Sequence, residues 1–91
     1  MLHYTATAQQ ARQLEGLAYW IADLSYTRER TPDDLDEIRR ADRTIRYDLD
    51  QLDRLGVPFW VQNAAIGWAT DWRNTRRQSF RAAMAARLIT V

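Results

Sequence analysis

The chain of 91 residues has no cysteine, no lysine and a single histidine, His3. Without cysteine it cannot form disulfide bonds, use a thiol in catalysis or hold zinc or an iron–sulfur cluster through thiolates. A single histidine also argues against a histidine-ligated metal site and against a Ser-His-Asp triad. We therefore expect a protein that is not an enzyme, with no catalytic residues, no metal and no cofactor.

Long apolar runs are also missing. No stretch approaches the roughly 18 apolar residues of a membrane-spanning helix. Residues 1–5 have neither the basic region nor the apolar core of a secretory signal. The apolar fraction of 46% is nonetheless too high for a disordered chain. We expect one cytoplasmic domain that covers residues 1–91 and does not contact a membrane.

Charges of both signs are present but unevenly placed. All thirteen basic residues are arginine, and eight of them share residues 1–72 with all twelve acidic residues. Residues 73–91 carry the other five arginines and no acidic residue, whereas most acidic residues lie within residues 33–54. An arginine-rich end can bind nucleic acid or an acidic protein. It can also pair with the acidic segment of its own chain or of a second copy.

The first predicted helix covers about residues 8–28. Thr7 and Gln10 have the spacing of a capping box at its start. Apolar residues recur along one stripe at intervals of three and four, namely Leu14, Leu17, Ile21 and Leu24. Two tyrosines and an alanine share the opposite face, namely Tyr19, Ala22 and Tyr26. These residues either lie at the surface without a binding role or extend a contact surface.

The second predicted helix covers about residues 32–55. Thr31 is its expected N-cap, and the acidic residues that follow lie near the positive end of the helix dipole. Asp42 interrupts the apolar stripe of this helix. We expect Ala41 to fill the core position while Asp42 turns outward to Arg46. The alternative is a buried Asp–Arg pair.

The pattern of residues 58–89 is also helical. It fits either one continuous helix or a helix that breaks near residues 70–74 into a fourth, with Asn74 as a suitable N-cap. Because neither glycine nor proline enforces a break there, we expect the continuous helix. Three long helices with short connections predict an all-α fold, a small antiparallel bundle with up-down-up order.

A continuous third helix carries two apolar stripes. Val61, Trp68 and Trp72 belong to the stripe that we expect to face the bundle. The second stripe, nearly opposite, contains Phe59, Ile66, Phe80, Met84 and Leu88, with Arg73 and Arg77 between them. A three-helix monomer cannot bury both stripes, so we expect the second to bind a protein partner or a second copy. The alternative is a broken helix that folds back and buries both.

These features predict a non-enzymatic protein–protein interaction module that forms a homodimer. It would be a small regulatory or inhibitory protein that occupies a partner's surface, for instance a phage or mobile-element inhibitor of a bacterial host's defence complex. The first alternative is an accessory protein that associates weakly with nucleic acid. Its contacts to phosphates, or to an acidic partner, would come from Arg73, Arg76, Arg77 and Arg81. The second alternative is a small helical enzyme subunit.

Overall fold

Five helices and two short strands make up residues 2–91, the part of the chain that the computed structural model describes. In chain order they are β1 (Tyr4–Thr5), α1 (Ala8–Arg30), α2 (Leu35–Arg54), α3 (Phe59–Ala69), α4 (Asn74–Arg77), α5 (Phe80–Ala85) and β2 (Ile89–Thr90). Helices account for 71% of the described residues, which confirms the all-α prediction. α1 is the central helix, because its contacts with α2 and α3 are the most extensive between elements.

The start of α1 is as the sequence predicts, but the start of α2 is not. The Thr7 hydroxyl accepts the Gln10 N–H at 3.1 Å, and the Thr7 N–H donates to the Gln10 side chain at 3.0 Å, so the capping box is confirmed. The N-cap of α2 is Asp34, whose carboxylate accepts a backbone N–H of the first turn at 3.2 Å. The prediction of Thr31 as this N-cap is wrong. Thr31 ends α1 instead, because its N–H donates to the Thr27 carbonyl oxygen at 2.8 Å.

The segment predicted as one helix over residues 58–89 is divided into α3, α4 and α5. The continuous helix is therefore wrong, and the alternative break near residues 70–74 is observed. Asn74 does not act as an N-cap there, since its Nδ2 donates to the Trp68 carbonyl oxygen at 3.1 Å, at the end of α3. A second break precedes α5, where the Ser79 hydroxyl accepts a backbone N–H at 3.1 Å. At both breaks, side chain-to-backbone hydrogen bonds replace those of a continuous helix.

The second break buries two residues of the stripe that the sequence predicts to bind a partner. Phe80 and Met84 are only 2% and 0% exposed, and the ring centroid of Phe80 lies 5.5 Å from that of Trp68. Their assignment to a partner-binding surface is corrected, because α5 folds back and turns its apolar face into the core. Val61 and Trp68 are buried, as their assignment to the bundle-facing stripe predicts.

A two-stranded parallel sheet joins the two ends of the chain. Tyr4 lies opposite Ile89 in the register. The Tyr4 N–H donates to the Leu88 carbonyl oxygen at 3.0 Å, and the Ala6 N–H donates to the Thr90 carbonyl oxygen at 2.9 Å. Leu88 adopts a left-handed conformation, with φ of 63°. A non-glycine residue in that region costs of order 1–2 kcal/mol, so the pairing of the ends has to offset local strain.

Asp42 points outward, as expected. Its carboxylate lies 3.1 Å from the Arg46 guanidinium, and Ala41 is fully buried in the core position. The other ion pairs of α2 also join residues one turn apart, Glu37 with Arg40 and Asp50 with Arg54. Among residues 2–91, no ion pair joins acidic α2 to the arginines of α4 or α5. The arginine-rich end therefore does not pair with the acidic segment of its own chain.

Phe80→Ala should destabilise the fold by about 3–5 kcal/mol, because it leaves a cavity beside Trp68. That is a large part of the roughly 5–15 kcal/mol that stabilises a small domain. The matched control is Phe59→Ala, since Phe59 is 74% exposed, and it should change stability by no more than about 0.5 kcal/mol. Chemical denaturation followed by circular dichroism measures both. Equal effects of the two substitutions would contradict the core position of Phe80.

Candidate protein-binding site

Two tyrosines form a ridge on the solvent-facing side of α1. Tyr19 and Tyr26 are seven residues apart, which places them on one line after about two helical turns. The ring centroids of Tyr19 and Trp68 are 5.9 Å apart in a T-shaped contact. Those of Tyr26 and Trp72 are 5.0 Å apart in the same geometry. These contacts hold the two rings in place while 47% of Tyr19 and 39% of Tyr26 stays exposed. We call this pair the tyrosine ridge.

Trp72 lies between α3 and α4 and is anchored to α1. Its indole Nε1 donates to Glu29 Oε2 at 2.7 Å, and its backbone N–H donates to Ser25 Oγ at 3.3 Å. The Arg73 guanidinium donates to the same Glu29 oxygen at 3.0 Å and to Asp71 Oδ1 at 3.3 Å. Hydrogen bonds from Arg73 and then from Trp72 lower the pKa of Glu29, because both stabilise its ionised form. Trp72, which contacts Tyr26 of the ridge, is thus fixed in position.

One cleft opens from the ridge toward α4. It measures about 290 Å³ and is lined by Tyr19, Ala22, Asp23, Tyr26, Trp72, Thr75 and Arg76. The guanidinium carbon of Arg76 lies 5.1 Å from the Trp72 ring centroid, a cation–π distance. Among residues 2–91, no carboxylate lies within 4.0 Å of this guanidinium. We call this the basic cleft after Arg76, which forms no ion pair with the Asp23 carboxylate in the same lining.

A second cleft opens on the other side of the ridge, toward α2. It measures about 310 Å³ and is lined by Gly16, Tyr19, Trp20, Asp23 and Glu37. Two carboxyl groups meet here, and within residues 2–91 the buried Asp23 Oδ2 has no hydrogen-bond partner. The two groups can hydrogen-bond only when one holds a proton, and this contact raises the pKa of Glu37. Arg40, 3.5 Å from Glu37 and largely exposed, offsets little of the charge. We call this the acidic cleft.

Gly16 leaves space in the acidic cleft. A Cβ atom at this position would meet only Asp48 Oδ2, at 4.0 Å, so packing does not require glycine. In a helix interior, glycine costs about 1 kcal/mol relative to alanine. Helix stability is therefore reduced at a point where the missing side chain keeps a cleft open.

The apolar residues predicted as a partner-binding stripe do not meet on one surface. Phe59 is exposed at the first turn of α3, whereas Ile66 is partly buried against the core. Leu88 is 36% exposed beside β2, and Phe80 and Met84 are buried. The stripe depends on one continuous helix, so the two breaks disperse it.

The four arginines predicted to bind phosphates or an acidic partner are also separated. Arg73 is held by Glu29 and Asp71, and Arg76 lines the basic cleft. Arg77 and Arg81 are exposed, but they lie on α4 and α5, which are different helices. A single basic helix face is therefore not formed.

Sequence reasoning missed the acidic cleft. Trp20, Asp23 and Glu37 were not singled out, because the last of them comes from a different helix and meets the others only in the folded chain. The tyrosines of the ridge could be recognised from their common helix face. The sequence allows these tyrosines to be either indifferent surface positions or part of a contact surface, and their exposure beside both clefts favours the contact surface.

No family model, curated protein or solved structure matches this chain. Within residues 2–91, no three His, Asp or Glu side chains converge in a way that could hold a metal ion. None of the helices in that range has the length and apolar character needed to cross a bilayer. The ridge and its two clefts do bring together aromatic rings and charged groups of both signs.

Asp23→Asn should raise thermal stability at neutral pH, because the new amide can donate to the Glu37 carboxylate. In the wild type, the raised pKa of folded Glu37 means that its ionisation destabilises the fold. This destabilisation is complete above the folded pKa and disappears as the pH falls below the ordinary value of 4.5. The advantage of the variant should therefore shrink on acidification. Thermal unfolding followed by circular dichroism across this pH range measures the effect.

The matched control for Asp23→Asn is Asp50→Asn, which removes an exposed carboxylate paired with Arg54 on α2. It should change stability by no more than about 0.5 kcal/mol. Melts at two protein concentrations separate the effect from any self-association. At a protein concentration at which the wild type is monomeric, a lower melting temperature for Asp23→Asn than for wild type at neutral pH would contradict the analysis of the acidic cleft.

Proposed function

We propose that the protein is a non-catalytic protein–protein interaction module, whose contact surface is the tyrosine ridge with its two clefts. Tyrosine, tryptophan and arginine dominate the binding energy at protein interfaces. The observation that carries the proposal is the stack of Tyr26, Trp72 and Arg76 at the surface, with 5.0 Å and 5.1 Å between successive groups. Because Trp72 is anchored to Glu29, these groups are ordered before a partner binds, which reduces the entropy lost on binding.

The two clefts supply charges that can orient a partner. Arg76 has no carboxylate close by, and Asp23 Oδ2 lacks a donor within residues 2–91. A protein that brings a carboxylate to the basic cleft can pair with Arg76, and a cation brought to the acidic cleft can pair with the partly exposed Glu37, whereas Asp23 Oδ2 is itself buried. Complementarity of this kind sets the register of a complex more than its bare affinity.

We assign this module a regulatory or inhibitory role in the cytoplasm, in which it acts by occupying a surface of its partner. α1, α2 and α3 would serve as an antiparallel, up-down-up bundle that supports the surface. Non-catalytic action fits the sequence, which offers one histidine and no cysteine for chemistry.

Binding of nucleic acid has less support than binding of protein. Arg73 is neutralised by Glu29 and Asp71, which leaves three arginines on two short helices. Across the ridge, Asp23 and Glu37 would repel a phosphate backbone. The mixed charge of the surface therefore favours a protein partner.

Photo-crosslinking tests the proposal. Tyr19 and Tyr26 are replaced, one at a time, by a photoreactive phenylalanine analogue that keeps the aromatic ring. In the cells that normally make the protein, irradiation should join each variant to a protein. Tyr47 is the matched control, since it is 62% exposed on α2 and lines neither cleft. The same replacement at Tyr47 should give no defined product.

Gel mobility and mass spectrometry identify the products, and products that contain a second copy count as protein contacts. Products at Tyr47 as abundant as those at the ridge would contradict the assigned surface. Absence of defined products at all three positions would contradict the interaction function.

A further inference from the structure

We infer that the partner of the tyrosine ridge is a second copy of this chain, with Arg76 of each copy seated in the acidic cleft of the other. This inference rests on the proposed function and identifies the partner. It follows from the opposite charges of Arg76 in one cleft and Glu37 in the other, and from the places of the two clefts on either side of one ridge.

The two clefts share part of their lining. Tyr19 and Asp23 border both of them. From this common border the acidic cleft extends to Glu37 of α2, and the basic cleft extends to Trp72 and Arg76 of α4. The ridge therefore separates a negative flank of the surface from a positive flank.

Symmetry decides how two such surfaces fit. A two-fold axis that lies in the interface and runs parallel to α1 brings the two ridges together with their helices parallel. Rotation about this axis places the positive flank of one copy against the negative flank of the other, on both sides of the ridge. An in-plane axis perpendicular to α1 makes the helices antiparallel and sets like flanks against each other, which is repulsive. Charge complementarity therefore selects the parallel pair.

In the parallel pair, Arg76 meets the Glu37 carboxylate of the other copy, which is partly exposed and can accept N–H groups of the guanidinium. Asp23 Oδ2 is buried in its own chain and is not contacted directly. The positive charge of Arg76 also reduces the repulsion between the Asp23 and Glu37 carboxyl groups. Trp20 adds an aromatic wall for a cation–π contact, and Gly16 leaves room for the planar group. The acidic cleft thus has the shape and charge to accept a guanidinium.

The surface is large enough for a stable pair. α1 has 23 residues and is therefore about 34 Å long. With the near halves of its neighbours, the face is about two helix diameters or 20 Å wide, which gives roughly 700 Å² per copy. Standard interfaces bury about 800 Å² per partner. A pair that uses the whole length of α1 and the near halves of its neighbours therefore reaches nearly the standard size, and roughly 700 Å² is the upper limit that this face offers.

Charge exchange between copies tests the inference. Light scattering of the wild type at micromolar concentration should give about twice 10.7 kDa. In Arg76→Glu alone, the new glutamate of each copy faces Glu37 of the other copy, so both contacts join negative charges. In Glu37→Arg alone, the new arginine of each copy faces Arg76 of the other copy, so both contacts join positive charges. Each variant alone should weaken self-association by at least about thirtyfold. An equimolar mixture of the two variants should restore the dimer, because both contacts then join opposite charges.

The matched controls are the adjacent residues on the same helices. Arg77→Glu and Asp36→Arg make the same charge changes at exposed positions that line neither cleft. Both controls should remain dimeric. Circular dichroism of every variant verifies that its helices are intact before association is compared.

Three results would overturn the inference: a wild type that stays monomeric up to about millimolar concentration, at the weak end of the affinity scale; reversed variants that still dimerise; or a mixture that stays monomeric although both variants are folded. A monomer that still crosslinks to a different protein through Tyr19 or Tyr26 would overturn only this inference. The proposed function would then stand. Absence of any crosslink at the ridge would remove both.

Discussion

The contact between Phe80 and Trp68 is the constraint on which the C-terminal third of the fold depends. Phe80 can be buried only if the chain leaves the helical path after α3 and returns, so α4 and α5 are short and the connections between them are tight. The same path carries Trp72 across α1 and sets Arg76 beside Tyr26. The arrangement of the surface is therefore a consequence of how the core is filled.

Local rules explain what the sequence could predict. The capping box at Thr7 and the outward position of Asp42 depend on residues within a few positions of each other, and both are as expected. The break before α5 is different, because Ser79 can cap a helix or sit within one, and burial of Phe80 decides between them. Asn74 is also not determined by local rules, because its side-chain amide donates to the Trp68 carbonyl oxygen at the end of the previous helix instead of capping the next one. The acidic cleft was missed because it needs the register of α1 against α2.

Three departures from local rules meet at the acidic cleft, and others within residues 2–91 lie elsewhere, such as the left-handed Leu88 and the buried Trp68 Nε1 without a hydrogen-bond partner. A glycine in a helix interior, an unpartnered carboxylate oxygen and a contact between two carboxyl groups each reduce stability, and all three occur between Gly16 and Glu37. Sequences usually keep such departures where function requires them and satisfy the same rules elsewhere. Asp48 nearby is a partly satisfied case: its buried carboxylate accepts a hydrogen bond from Gln13 at 2.7 Å, yet burial still raises its pKa.

The parallel sheet joins residues that are farther apart in the sequence than those of any helix pair. Tyr4 and Ile89 come together only across almost the whole chain, and two residue pairs make up the ladder. The loop-closure entropy of so long a segment outweighs what a few hydrogen bonds return, unless the helices have already brought the ends close. We therefore expect the sheet to be the last element to form in folding. Because the strands hold each other, fraying of either end of the chain releases the other.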